Sequence, residues 1–150
     1  METNASFTVP VRWADLDPNG HVRHSVFLDL GAQARVGFLE GAGFGLAEMA
    51  AARIGPVLFT ETAQYRHEIR SSELVTVDVE LTGISANLKH FAMRHRLIRE
   101  DGEIACIIDC RGAWMDLDTR RVVPAPDALF AVLERMPRAA DYAELASPSL

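Results

Sequence analysis

From Ser25 to Gly41 the chain carries only three charged residues, Asp29, Arg35 and Glu40, and its apolar residues are not confined to one side of a helix. Val26, Phe27, Leu28, Leu30, Ala34, Val36, Phe38 and Leu39 spread around most of the helical wheel, the pattern of a helix that is buried. Glycines at 41, 43 and 45 favour a stop after about 4 to 5 turns. Whatever else the chain folds into must wrap this helix.

The wrapping comes from the chain beyond the helix, because nearly everything from 54 to 118 has strand character. Residues 46–52 add a short helical turn, and 56–67 make one candidate strand. In 73–81, Val75, Val77, Val79 and Leu81 alternate with Thr76, Asp78 and Glu80, as in a half-buried antiparallel strand. Residues 89–99 continue the pattern, Asp101-Gly102 marks a hairpin, and 103–115 return with Ile104, Cys106, Ile108 and Cys110 on one face. Ahead of the helix, 5–13 read as a first strand, which Pro10 places at a sheet edge. Residues 126–135 form a short helix, and the Ala-, Ser- and Pro-containing stretch 137–150 reads as a loosely held tail. With 150 residues, 49% of them hydrophobic, the chain is long enough for one core and too short for two. The class is α+β: an antiparallel sheet of about five strands wrapped around one long central helix.

A net charge of −6 argues against a general nucleic-acid binder, so an anionic ligand must meet local arginines. No apolar run is long enough to span a bilayer, and METNASFTVP lacks the basic start and apolar block of a signal peptide; membrane association is not expected, and a cytoplasmic location is. Cys106 and Cys110, four apart on one strand, are too far apart for a disulfide and read as buried free thiols. His90 and His95 look like ordinary sheet residues.

Chemistry concentrates in Arg12-Trp13-Ala14-Asp15-Leu16-Asp17-Pro18-Asn19-Gly20-His21-Val22-Arg23-His24, directly ahead of the helix. Asp17 reads in two ways. Asp-Pro-Asn-Gly is a favourable turn by itself. A carboxylate delivered to a helix N-terminus also faces the positive end of the helix dipole, an interaction of about 0.3–1 kcal/mol, from where it can attack a carbonyl or take a proton from water. Backbone N–H groups near His24 and Ser25 lack intrahelical partners and suit a developing oxyanion. Asp15 reads as structural, bonding loop amides. Asp17, His21 and His24 also make a conceivable metal set, which no zinc-hydrolase spacing supports.

The loop resembles that of the 4-hydroxybenzoyl-CoA thioesterase family, whose pattern Asp-x-Asp-x-x-Gly-x-Val is met by Asp15 to Val22. Ala34-Arg35 is similar to a pair later in that family's helix, and Gln64-Tyr65 through Val77 to its strand-loop-strand. Asn19 and His21 also resemble an arrangement in plant acyl-carrier-protein thioesterases, and His24 a histidine of the bacterial acyl-CoA branch.

The resemblance, covering about residues 7–124, implies the hotdog fold over 1–136. It further implies an acyl-CoA thioesterase without metal or organic cofactor, with Asp17 as nucleophile or general base and Asn19, His21 and His24 assisting. Ser25, Arg66, Arg70, Lys89 and Arg94 become candidates for substrate, the basic side chains for its phosphates. The partners implied are an acyl-CoA or acyl-carrier-protein thioester and a second copy of the chain, as a homodimer or a homotetramer built from dimers. Departures at Arg23, Phe27, Ala32 and Gln33, where relatives carry Asn, Tyr and Glu residues nearby, leave a non-catalytic acyl-thioester-binding protein as the competing reading. Arg23 itself is open to a salt bridge with Asp15 or with a substrate carboxylate.

Overall fold

The computed structural model describes residues 5–146. β1 (Ser6–Pro10) leads through a 3-10 turn (Trp13–Asp15) to α1 (His24–Gly41) and the short α2 (Leu46–Ala52). Then come β2 (Ile54–Tyr65), β3 (Leu74–Asp78), β4 (Glu80–Ile84), β5 (His90–Ile98), β6 (Ile104–Asp116), the two-residue β7 (Arg121–Val122) and α3 (Asp127–Arg135). These strands all pair antiparallel, in the order β1-β3-β5-β6-β2, with β4 on β5 and β7 on β6. Since α1 touches β1, β3, β5 and β6, the sheet curls around it. Among the described residues no helix is long and apolar enough to cross a membrane.

α1 meets the sheet at close range. A Cβ on Gly31 would come within 3.1 Å of Ile108 and 3.3 Å of His95, tight contacts that glycine avoids where the helix sits against β5 and β6. At Gly112 a Cβ would fall 2.2 Å from Val57 O, which keeps β2 and β6 in contact across the Phe59 bulge. Val26, Phe27, Ala34, Phe38 and Leu39 fill the interior beside Phe91 and Trp114, whose ring centroids lie 4.7 Å apart with the planes tilted by 35°. The helix is not enclosed on all sides, however. Asp29, Gln33, Val36 and Glu40 are exposed, because the chain's own sheet covers one side only.

The run 73–81 forms two strands rather than one, although Val75, Val77, Val79 and Leu81 are all buried as their alternation requires. The break falls at Asp78-Val79. There the Asp78 carboxylate accepts the Arg96 backbone N–H (2.8 Å) and its Nε–H (2.7 Å), while Val79 N–H turns to Ala5 O (2.9 Å). A side chain has taken the place of a ladder bond.

The tail also departs from its composition. Leu81 N–H donates to Pro137 O, Ala139 N–H to Leu81 O, Ala143 N–H to Thr82 O and Leu145 N–H to Ile84 O, so the chain runs along the free edge of β4. Arg94 clamps Asp141 with two bonds of 2.9 and 3.0 Å. Small side chains allow this close approach, and backbone pairing supplies the hold. Residues 147–150 of the expected tail lie outside the described residues.

His95 is no ordinary sheet residue. It is fully buried, donates from Nδ1 to Asp78 O (2.9 Å) and accepts at Nε2 from Arg35 (2.9 Å), which ties β5 to β3 and to α1. Burial, with the Arg35 charge beside it, pushes its pKa down to about 4. The unfolded chain therefore takes up the proton first. Stability from this group is complete above the unfolded value of about 6.5 and is lost as pH falls toward about 4, a difference of roughly 3 kcal/mol. Urea denaturation between about pH 7 and pH 4 should show this slope in the wild type and a flatter one in His95→Gln, which has nothing to titrate there.

Candidate functional site

The loop between β1 and α1 is built on Asp15. Its buried carboxylate accepts the Arg12 backbone N–H (3.1 Å) and Arg12 guanidinium N–H groups at 3.1 and 2.7 Å, and this guanidinium holds its pKa below the usual carboxylate range. Arg23 N–H donates to Asp15 O (2.9 Å), and the Arg23 guanidinium donates to Ala14 O and Ser25 Oγ. Arg23 thus staples the loop to the start of the helix, and the salt bridge of Asp15 is made by Arg12 rather than by Arg23.

Asp17 sits at the tip of a tight turn. Its Oδ1 accepts N–H from Asn19 (2.8 Å) and His21 (3.1 Å), its own N–H donates to His21 O (2.7 Å), and Gly20 takes the positive φ of 79° that the reversal needs. These bonds fix the carboxylate while engaging one oxygen; among the described residues Oδ2 accepts none. The turn role and an open, oriented oxygen coexist. Val22 N–H donates to Ile69 O (2.8 Å) and His21 bridges Arg70, which presses the loop onto the segment after β2.

The helix behind it begins without a side-chain cap. Among the described residues the N–H groups of His24 and Ser25 have no acceptor, as expected for a first helical turn. Asp17, His21 and His24 meet Phe27, Tyr65, Arg66, His67 and Glu68 around an open concavity of about 380 Å³. His21 Nε2 stands 3.1 Å from Glu68 Oε2. Asn19 is exposed on the turn, outside the residues lining that space.

Tyr65 is a site residue that sequence reasoning misses. Its hydroxyl donates to His24 O (3.2 Å), its ring meets Phe27 edge-on at 5.2 Å, and burial pushes its phenol pKa up. The signal lay in β2, where Ala63 and Tyr65 fall on the face toward α1, a face that becomes legible only once β2 pairs with β6.

The basic candidates separate. Arg66 lines the concavity. Arg70 lies next to it but is bound to Glu68 at 2.7 and 3.0 Å. Lys89 is far off: Arg66 N–H donates to Ala105 O at one end of β6 and Trp114 N–H to Lys89 O near the other, about 30 Å along the strand. Arg94 is taken up by Asp109 and Asp141. Within one chain, Lys89 and Arg94 are not brought to Asp17.

Cys106 and Cys110 are free and buried, and burial drives the Cys106 thiol up to about 11, so neither is a ready nucleophile. Among the described residues no three His, Cys, Asp or Glu side chains are grouped to hold a metal ion, and Asp17, His21 and His24 do not form such a set.

Residues 11–133 match the profile of the family described as the thioesterase-like superfamily. No curated protein matches the chain significantly in sequence. Solved structures with the same fold include a hypothetical protein from Thermus thermophilus, 26% identical with a TM-score of 0.80 over 89% of this chain and 99% of that one. A Staphylococcus aureus protein solved in complex with CoA is 18% identical, with a TM-score of 0.82 over 96% of this chain and 95% of its own. A 1,4-dihydroxy-2-naphthoyl-CoA thioesterase from Synechocystis is 16% identical, with a TM-score of 0.78 over 87% and 95%.

Because Asp15 organises the loop from a buried position, Asp15→Ala should lower stability by about 1–3 kcal/mol in urea denaturation. Hydrogen exchange at the amides of residues 12–23 should rise more than at β5 or β6. Uniform exchange across the molecule would show that Asp15 does not anchor the loop.

Proposed function

The chain belongs to the thioesterase-like superfamily, and from that premise we propose that it is an acyl-CoA thioesterase, acting through Asp17 without metal or organic cofactor. The observation that carries this reading is the geometry of Asp17: one oxygen is locked by two backbone N–H groups, and the other is open beside the uncapped first turn of α1. A thioester carbonyl placed between them would direct its oxygen at the N–H groups of His24 and Ser25, where they stabilise the charge that develops on it.

Asp17 then takes a proton from an attacking water, or attacks the carbonyl itself to give an anhydride that water opens. In either route the C–S bond breaks, the acyl group leaves as a carboxylic acid, and the CoA thiolate is protonated. His24, exposed at the helix start, and His21, oriented by Glu68, are the candidate donors. Arg66, which lines the concavity, is the candidate cation for a phosphate of CoA, and Arg70 lies just beyond it.

We further propose a homodimer joined at the free edge of β2. β1, the other end of the sheet, is short and carries Pro10, whereas β2 is 12 residues long and leaves Leu58, Phe59 and Tyr65 exposed. Antiparallel pairing of two such strands over their length puts the Tyr65 end of one protomer beside the Ile54 end of the other.

Purified protein should release thiol from a panel of short, aromatic and medium-chain acyl-CoAs, followed with a chromogenic thiol reagent. Asp17→Asn should cut the rate at least about a hundredfold while sedimentation still shows a dimer. Full activity in Asp17→Asn would place the chemistry elsewhere. Binding of acyl-CoA with no release across the panel would favour a non-catalytic binding protein, and a monomer in sedimentation would remove the β2 interface.

A further inference from the structure

Glu68 lies on the segment after β2, and that segment is held in register with the Asp17 turn. Val22 N–H donates to Ile69 O (2.8 Å) and His21 bridges Arg70 in an antiparallel pair, which brings residue 68 alongside residue 21. Both oxygens of Glu68 are engaged. Oε2 stands 3.1 Å from His21 Nε2, and Oε1 accepts from Arg70 Nε (3.0 Å) and Nη2 (2.7 Å). The Arg70 guanidinium, with His21 also beside it, holds the Glu68 pKa below the usual carboxylate range. Glu68 therefore accepts from His21 Nε2–H without taking the proton away. An exposed ion pair of this kind adds little to stability. What it fixes is the direction of the ring.

His21 is also the imidazole tied most directly to the reacting carboxylate. Its N–H donates to Asp17 Oδ1 (3.1 Å), its C=O accepts from Asp17 N–H (2.7 Å), and it lines the concavity. With Nε2 on Glu68, Nδ1 has no partner among the described residues. His24 lines the same space, yet among the described residues no hydrogen bond or ion pair holds its ring. The other charged or titratable groups around the concavity are Asp17, Tyr65, Arg66 and His67, the last drawn toward Glu103 at 3.8 Å.

We propose that Glu68 is a positioning residue, presenting His21 as the acid that protonates the departing CoA thiolate, a transfer in which His24 takes no part. The inference rests on the thioesterase reading. As the tetrahedral adduct collapses, the C–S bond breaks and its electron pair stays on sulfur. The proton on Nδ1 of the His21 imidazolium passes to that sulfur and leaves a neutral ring. In the general-base route, the proton that Asp17 took from water then restores the imidazolium. Water and thioester are thereby converted to acid and thiol with every proton accounted for.

The test is the single-turnover rate for one acyl group on two leaving groups, CoA and a thiophenol. A basic alkyl thiolate gains from a proton as it leaves, and an aryl thiolate leaves without one. Glu68→Gln should slow the CoA thioester at least about tenfold and the aryl thioester less than about twofold. His21→Gln should show the same selectivity. The double variant should be no slower on the CoA thioester than His21→Gln alone, because Glu68 acts only through the ring. Glu68→Asp, which keeps the carboxylate, should recover part of the loss.

An equal loss on both leaving groups would mean that Glu68 merely supports the Asp17 turn, and would overturn the proposal. Losses that multiply in the double variant would do the same, as would selectivity that disappears in His24→Gln and survives in His21→Gln. Where the thiophenol ester is not a substrate, the double-variant cycle on the CoA thioester decides. If the wild type hydrolyses no thioester, the thioesterase reading fails and takes this proposal with it. Wild-type hydrolysis that Glu68→Gln leaves untouched overturns the proposal alone.

Discussion

A buried imidazole holds the central helix to the sheet. His95 lies between Asp78 O on β3 and Arg35 on α1, with Gly31 allowing the helix backbone to close on its ring. An aliphatic residue at this position would fill the same space but leave Asp78 O and an Arg35 donor unmatched in the interior. The position of α1 is set by this contact, and both ends of the helix inherit it. Its N-terminus presents the His24 and Ser25 amides, which have no acceptor among the described residues, behind Asp17, and its C-terminal half carries Arg35 to His95 and Glu61.

Two aspartates two residues apart have been given different work by their surroundings. Asp15 is buried and saturated by Arg12, so it can only hold shape. Asp17 is half-exposed and spends one oxygen on its own turn. The division depends on Arg12, Arg23 and Ile69 fixing the loop on three sides, which keeps the open oxygen of Asp17 from wandering. A carboxylate on a free loop would face a much larger entropic cost for each productive approach.

Much of this is legible in the sequence. Alternation in 73–81 and 103–115 places Val75, Val77, Leu81, Cys106 and Ile108 in the core, where they are, and Pro10 marks an edge strand that pairs on one side only. What escapes is whatever depends on a specific side-chain partner. The break at Asp78 needs Arg96 opposite it, the docking of the tail needs Arg94 and the edge of β4, and the burial of His95 needs the helix overhead. Pattern reading sees periodicity, and none of these is periodic. The separation of Lys89 from Asp17 is of the same kind, because distance along β6 appears only once the register of β5 and β6 is known.

The apolar character of α1 nearly all round joins two surfaces that serve different ends. One, through Val26, Phe27, Ala34 and Phe38, packs on the chain's own sheet. The other, through Ala32, Val36 and Leu39, lines a cavity, with Val36 still 36% exposed. A helix that only had to fold would gain solubility from polar residues at 32 and 36. Apolar side chains there leave surface uncovered in the single chain, which solvent alone would not favour. The uniform hydrophobicity of the helix is therefore better understood as two faces superposed, one packed on the chain's own sheet and one lining the space between α1, α2 and the sheet.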